Sequence, residues 1–182
     1  MKKIIIVSDS HFEKDALNLI LNYFPNMNAY LHCGDIVLEK NMYPMFQTVK
    51  GNHDTDQYPE YLLINIDGFI IYLVHGHTYM QNPINIKFWE QSSKDLDAFH
   101  QYILIIEKQM CSDAKKYNAN MVAYGHTHLK SFHKIDNIYI CNPGSTFFNG
   151  DATPPSFLYL EIDKDKIQHK FYQIDIKNNK IF

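Results

Sequence analysis

Residues 4–11 read Ile4-Ile5-Ile6-Val7-Ser8-Asp9-Ser10-His11, an apolar, β-branched run that stops abruptly on small and polar side chains. A continuous apolar run this short predicts a strand covered on both faces. The next apolar residues, Ala16, Leu17, Ile20, Leu21 and Phe24, fall at helical spacing and Pro25 closes them, so a helix is expected over 15–24. Ala29-Tyr30-Leu31-His32-Cys33 then leads into Gly34-Asp35. Strand, helix and strand, with polar residues at each strand exit, describe an α/β sheet whose functional groups collect at the carboxyl ends.

Thr48-Val49-Lys50 is expected as a third strand with Gly51-Asn52 at its exit. Residues 61–66 and 69–74 are expected as a hairpin about Asp67-Gly68, the second strand delivering His75. Met121-Val122-Ala123-Tyr124 delivers Gly125 and the His126/His128 pair. Residues 137–141, 156–162 and 166–174 read as antiparallel strands joined by tight turns such as Asp163-Lys164-Asp165. Leu96, Phe99, Ile103, Ile106 and Met110 set a helical period that predicts a long helix over 96–116. Ahead of it, Ile84 to Trp89 is expected to pack against the domain, with a substrate lid or a dimer contact as the functional alternative. No repeat or linker divides the chain, so two packed sheets flanked by helices are expected in one domain over 1–182.

Composition narrows the function. The 182 residues are 46% hydrophobic, enough to bury a sizeable core, and the net charge is -3. Lysines are scattered rather than gathered in a stripe, so duplex nucleic acid is not an expected partner, although a short oligonucleotide substrate stays open. All 17 basic residues are lysines. A bound phosphate must therefore be held by metal ions, imidazoles, lysines, hydroxyls or backbone amides, never by a guanidinium fork. Cys33, Cys111 and Cys141 are widely spaced and form no disulfide framework. The apolar run after Met1-Lys2-Lys3 is too short for a secretory leader, no stretch reaches membrane length, and the cytoplasm is the expected compartment.

Polar blocks follow the apolar runs: Asp9-Ser10-His11, Gly34-Asp35, Gly51-Asn52-His53-Asp54, His75-Gly76-His77 and Gly125-His126-Thr127-His128. A single Asp-x-His or buried histidine is ordinarily a hydrogen-bonded core group. In series, these blocks offer the carboxylates, imidazoles and amide oxygen that a pair of divalent cations requires. Asp35, with two oxygens, could serve both ions. In the two His-x-His pairs, the local turn decides which imidazole is a ligand.

The order Asp-x-His, Gly-Asp, Gly-Asn-His-Asp, His-Gly-His, Gly-His-Thr-His resembles the calcineurin-like metallophosphoesterase superfamily over essentially the whole chain. The compact size and Asn142-Pro143-Gly144-Ser145 resemble its small YfcE-type phosphodiesterase branch. The resemblance implies an α/β fold, a four-layer αββα sandwich of two mixed β-sheets flanked by helices, with a dinuclear metal site at the sheet edge. It implies that Asp9, His11 and His128 bind one metal and Asn52, His75 and His126 the other, with Asp35 bridging. Manganese is the implied ion; iron, zinc, nickel and cobalt also fit such mixed sites. The implied chemistry is phosphodiester hydrolysis by a two-metal-activated hydroxide attacking phosphorus in line, with His53 assisting the leaving group. His77 would lie beside the site without binding metal, and Asn142 to Ser145 would support the His126/His128 loop.

Two departures stand out. Relatives often carry a second acid soon after Gly-Asp to orient the catalytic histidine; here Leu38 stands there, leaving Glu39 or Asp54 as its replacement. Relatives also often carry a basic residue after Asn-Pro-Gly-Ser, where this chain has Thr146-Phe147-Phe148-Asn149. Phosphomonoesterase, nucleotide pyrophosphatase and nuclease activities would use the same centre. A rival of another class is a protein-binding scaffold like the retromer subunit of this fold, which lacks the bridging aspartate and catalytic histidine that this chain retains.

Overall fold

The innermost strand, β1 (Lys2–Val7), buries Ile4, Ile5, Ile6 and Val7 completely. The computed structural model describes residues 1–40, 42–55, 58–81, 96–164 and 166–182. Strand side chains alternate in direction, so this run feeds two cores at once. Ile4 and Ile6 point into a cluster with Leu31, Ile71, Leu73, Ala123 and Leu158. Ile5 and Val7 point the other way, onto Ala16, Leu17 and Ile20 of helix α1 (Lys14–Tyr23).

β1 pairs in parallel with β2 (Ala29–His32), which pairs in parallel with β3 (Phe46–Thr48). The hairpin β4 (Tyr61–Ile66) and β5 (Phe69–Val74) belongs to a second sheet, with β6 (Met121–Ala123), β7 (Ser131–Ile135) and β8 (Ile138–Asn142). On its other edge β1 meets β9 (Ser156–Asp163) antiparallel, followed by β10 (Lys166–Asp175) and β11 (Lys180–Ile181). The six-stranded order is β11-β10-β9-β1-β2-β3 and the five-stranded order is β4-β5-β6-β8-β7. Both sheets are mixed. Helix α2 (His77–Met80) is a single turn after β5, and α3 (Leu96–Lys116) lays Tyr102, Ile106, Met110 and Ala114 on Tyr72, Val74, Val122 and Ile140 of the second sheet. The layers are therefore α1, sheet, sheet and α3, the expected αββα sandwich. No helix among the described residues is long and apolar enough to cross a membrane.

Some boundaries move. Glu13 caps α1 by accepting from the Asp15 N–H at 3.1 Å, so the helix starts at Lys14 rather than Asp15. The third strand is Phe46–Thr48, while Val49 already belongs to the loop that feeds the site. The strand expected at 137–141 is 138–142, because Asp136 and Asn137 take left-handed turn geometry. It pairs antiparallel with β7 but parallel with β6, which corrects the wholly antiparallel expectation. Ile84 to Trp89 and the Asp165 end of the 163–165 turn lie outside the described residues.

One buried acid ties α3 to the second sheet. Glu107, 3% exposed, accepts from Tyr124 Oη at 2.8 Å and from His133 Nε2 at 3.0 Å. That bond raises the His133 pKa above its ordinary 6.5 against the opposing effect of burial. The stabilisation is thus fully present below pH 6.5 and fades as pH rises through the raised value. Glu107→Ala should destabilise the protein by about 1–3 kcal/mol by removing the buried acceptor shared by the Tyr124 hydroxyl and His133, at roughly 2–4 °C in Tm per kcal/mol. Glu107→Gln should flatten the dependence of Tm on pH above 6.5, read by thermal melts across a pH series.

Candidate metal centre

The polar blocks lie at the carboxyl ends of parallel strands, which share one edge of the sandwich: Asp9 and His11 after β1, Asp35 after β2, Asn52 and His53 after β3, His75 after β5, His126 and His128 after β6. Their backbones are unusual. Asp9, His11, Asp35, His126 and His128 all have positive φ, at 51°, 41°, 55°, 65° and 56°. Left-handed geometry at a non-glycine residue costs on the order of 1 kcal/mol or more and persists only where surroundings enforce it. Here a bonded frame does so. The Asp54 carboxylate accepts from Asp35 N, Gly51 N and Val37 N at 2.8, 2.8 and 2.7 Å, fastening the β2 exit to the β3 exit. Asp9 N donates to Gly34 O, and His11 N to Asp35 O, each at 3.0 Å. Ser145 Oγ donates to Asp9 O at 2.8 Å, and Asn142 Nδ2 to Gly125 O at 2.9 Å, so Asn142 to Ser145 does support the histidine loop.

Close approach makes Gly51 obligatory. A Cβ there would lie 2.0 Å from Asp35 Oδ1, well inside contact distance. Gly51→Ala should displace Asp35 and lower metal binding at least tenfold while the far-UV circular dichroism stays that of the wild type; metal analysis after dialysis measures it.

The side chains converge as acceptors. His75 Nδ1–H donates to Cys33 O at 2.8 Å and His128 Nδ1–H to Phe148 O at 3.1 Å, which turns both Nε2 lone pairs inward. Asp9 Oδ1 is buried with no hydrogen-bond donor, and faces His128 Nε2 at 3.2 Å, His75 Nε2 at 3.9 Å and His11 Nε2 at 4.0 Å. His11 and His128 bring their Nε2 atoms within 3.4 Å. Asn52 Oδ1 lies 3.1 Å from His75 Nε2, and Asp35 Oδ2 3.5 Å from the same nitrogen. Buried lone pairs aimed at one another are unfavourable unless a cation lies between them, so the donor set fits divalent metal. Asp9, His11 and His128 form one cluster of potential ligands, Asp9, Asp35 and His75 a second, and His11, Asp35 and His53 a third.

His126 is placed differently. Its N–H donates to Asp9 Oδ2 at 3.0 Å and its ring packs edge-on to His75, centroids 5.1 Å apart, outside those three clusters. His53 is held by Asp35 itself, through Nδ1–H to Oδ2 at 2.7 Å and its backbone N–H to Oδ1 at 2.8 Å. Asp54 is occupied with backbone amides and Glu39 is exposed. His77 is buried beside His75, ring centroids 5.2 Å apart, and is in none of the three clusters. The part Asp54 plays as a clamp on backbone amides, and the Cys33 and Phe148 carbonyls, were not read from sequence. For Asp54 the signal was its place directly after Gly-Asn-His.

The electrostatics match this arrangement. Burial would raise the Asp35 carboxyl, but bonds and charge from His75 and His53 hold it well below the usual carboxylate range. Burial likewise opposes ionisation of Asp9, and His128 and His75 more than offset it. Burial would lower His75, yet Asp35 and Asp9 more than offset it and raise it. Burial and the neighbouring His75 push His126 down to about 4, so it is the neutral imidazole that a metal requires.

Residues 1–165 match the family model of the calcineurin-like phosphoesterase superfamily domain. A probable metallophosphoesterase of Mycoplasma pneumoniae is 26% identical over 147 residues, covering 80% of this chain and 79% of the relative. A phosphodiesterase of Methanocaldococcus jannaschii is 23% identical, covering 78% and 82%. Among solved structures, a predicted phosphoesterase of Streptococcus pneumoniae superposes with a TM-score of 0.74 at 24% identity, covering 94% of this chain and 89% of that one. Vacuolar Protein Sorting 29 of Cryptosporidium parvum superposes with a TM-score of 0.68 at 18% identity, covering 100% and 94%.

Proposed function

Because the chain belongs to the calcineurin-like phosphoesterase superfamily, we propose that it is a metal-dependent phosphodiesterase acting on a small diester, one domain over 1–182 working in the cytoplasm. The observation that carries the reading is the set of inward lone pairs about the donorless Asp9 Oδ1. Asp9, His11 and His128 would hold one divalent cation and Asn52, His75 and His126 the other, with Asp35 between them and Mn²⁺ as the proposed pair. When bound, such ions neutralise phosphate oxygens and activate water.

The chain's own residues supply the rest. His53 has a side chain 60% exposed at the cleft and is anchored through Nδ1 to Asp35, so Nε2, 3.4 Å from the Asn52 amide nitrogen, would carry the proton for the departing oxygen. Asp35 stabilises the imidazolium that holds this proton, and the Asp54 clamp fixes Asp35. A diester bears one negative charge and a monoester up to two. The described residues lining the cleft over Asp35 and His53 include no lysine, which favours the diester. The Methanocaldococcus jannaschii relative, named a phosphodiesterase, points the same way.

Metal-stripped protein resupplied with Mn²⁺ tests this on bis(p-nitrophenyl) phosphate beside p-nitrophenyl phosphate. Metal-dependent cleavage with the diester preferred is expected. Preference for the monoester would move the assignment to phosphatase. A fold likeness to Vacuolar Protein Sorting 29 supports a scaffold as the second reading, against which the assembled donor set weighs. No turnover with two metals bound would favour that scaffold.

A further inference from the structure

We propose that Phe12, Phe147 and Phe148 form a stacking site for a nucleobase, so that the diester is a nucleoside phosphodiester; this deepens the phosphodiesterase reading and rests on it. The three rings are 64%, 47% and 52% exposed, and all line the same open cleft of about 450 Å³ with His11, His53 and His128. A cleft of this size is ordinary for a small-molecule site, roughly 300–1,000 Å³. Exposed aromatic rings gathered at the mouth of a reactive site mark a surface awaiting a ligand.

These rings are positioned rather than loose. Ser145 Oγ accepts from Phe147 N and Phe148 N, each at 3.0 Å, while donating to Asp9 O. The Phe148 carbonyl orients His128, and its ring stands edge-on to that imidazole with centroids 4.7 Å apart. Phe147 lies 5.5 Å from Phe148 and 6.0 Å from His11, again between ring centroids. Phe12 is presented from the opposite loop with φ 72°, a backbone state that a bulky residue rarely adopts, and its N–H donates to Ile36 O at 3.3 Å. A phosphate seated among Asp9, Asp35 and the histidines would hold one ester substituent within reach of these rings.

The chemistry of the mouth selects the occupant. Bases stack on aromatic side chains irrespective of sequence because each has a π-face. A polynucleotide would also need cations for its neighbouring phosphates. The described residues lining the cleft include no lysine, and the chain has no arginine. A mononucleoside diester meets both conditions.

The test compares binding of adenosine 5′-phosphate and ribose 5-phosphate to the Mn²⁺-loaded protein by calorimetry. Wild type should prefer the nucleotide by roughly tenfold or more. Phe147→Ala/Phe148→Ala should bring the ratio close to one, Phe12→Ala should lower it, and Phe147→Trp/Phe148→Trp should retain it. Equal affinities in wild type, or a preference that survives the double alanine change, would overturn the proposal. The first of those would leave a protein partner as the occupant. Turnover of bis(p-nitrophenyl) phosphate in the same samples reports separately on the hydrolase reading: base preference without turnover refutes the hydrolase, and turnover without base preference refutes the stacking site alone.

Discussion

Asp35→Asn is expected to abolish metal loading and diester hydrolysis together, with kcat/KM falling by about 10³-fold or more, a loss of several kcal/mol of charge stabilisation. The residue is 1% exposed and faces three imidazoles: His53 at 2.7 Å, His75 at 3.5 Å and His11 at 4.0 Å. Its replacement keeps the shape but removes the charge. One of its two terminal atoms also becomes an amide that donates where an acceptor is needed. Mn²⁺ raises the Tm of any protein that binds it only when folded. That shift should be large in wild type and absent in Asp35→Asn, measured by melts with and without Mn²⁺. A variant that still takes up two equivalents would show that Asp35 is not shared.

His53→Ala should behave in the opposite way. Metal content should stay at two ions, because the ring lies at the exposed rim, tied to Asp35 through Nδ1, and is proposed to act through Nε2. Removal of a general acid typically costs 10²–10⁴-fold. Here that loss should appear in kcat for diesters with alkoxide leaving groups and shrink for p-nitrophenolate, which departs without a proton. A plot of log kcat against leaving-group pKa should therefore steepen. A uniform loss across leaving groups, or loss of one metal equivalent, would instead make His53 a ligand in its cluster with His11 and Asp35.

What could be read from sequence divides along physical lines. Ile4 to Val7 announced a doubly covered strand because burial on both faces leaves no polar position in the run. The helix over 96–116 was legible because its buried face repeats at a constant period. β7 was not: Ser131-Phe132-His133-Lys134-Ile135 is half-buried at the sheet edge and its His133 answers to Glu107 across the fold. The ligand-bearing loops were found by their chemistry, but their geometry was not. Left-handed residues such as His11 and His126 break any period, so the direction of each ring depends on bonds to distant residues such as Asp9. Asp54 shows this most plainly, since its carboxylate serves Val37 and Asp35 across the gap between two loops.

In the proposed centre, the inward lone pairs around Asp9 and Asp35 would hold two cations side by side. Titration of the metal-stripped protein with Mn²⁺, followed by electron paramagnetic resonance, tests it most directly. Saturation at two equivalents per chain with a spin-coupled signal is expected, since ions sharing the Asp35 carboxylate must interact. Saturation at one equivalent, or two uncoupled ions, would contradict it.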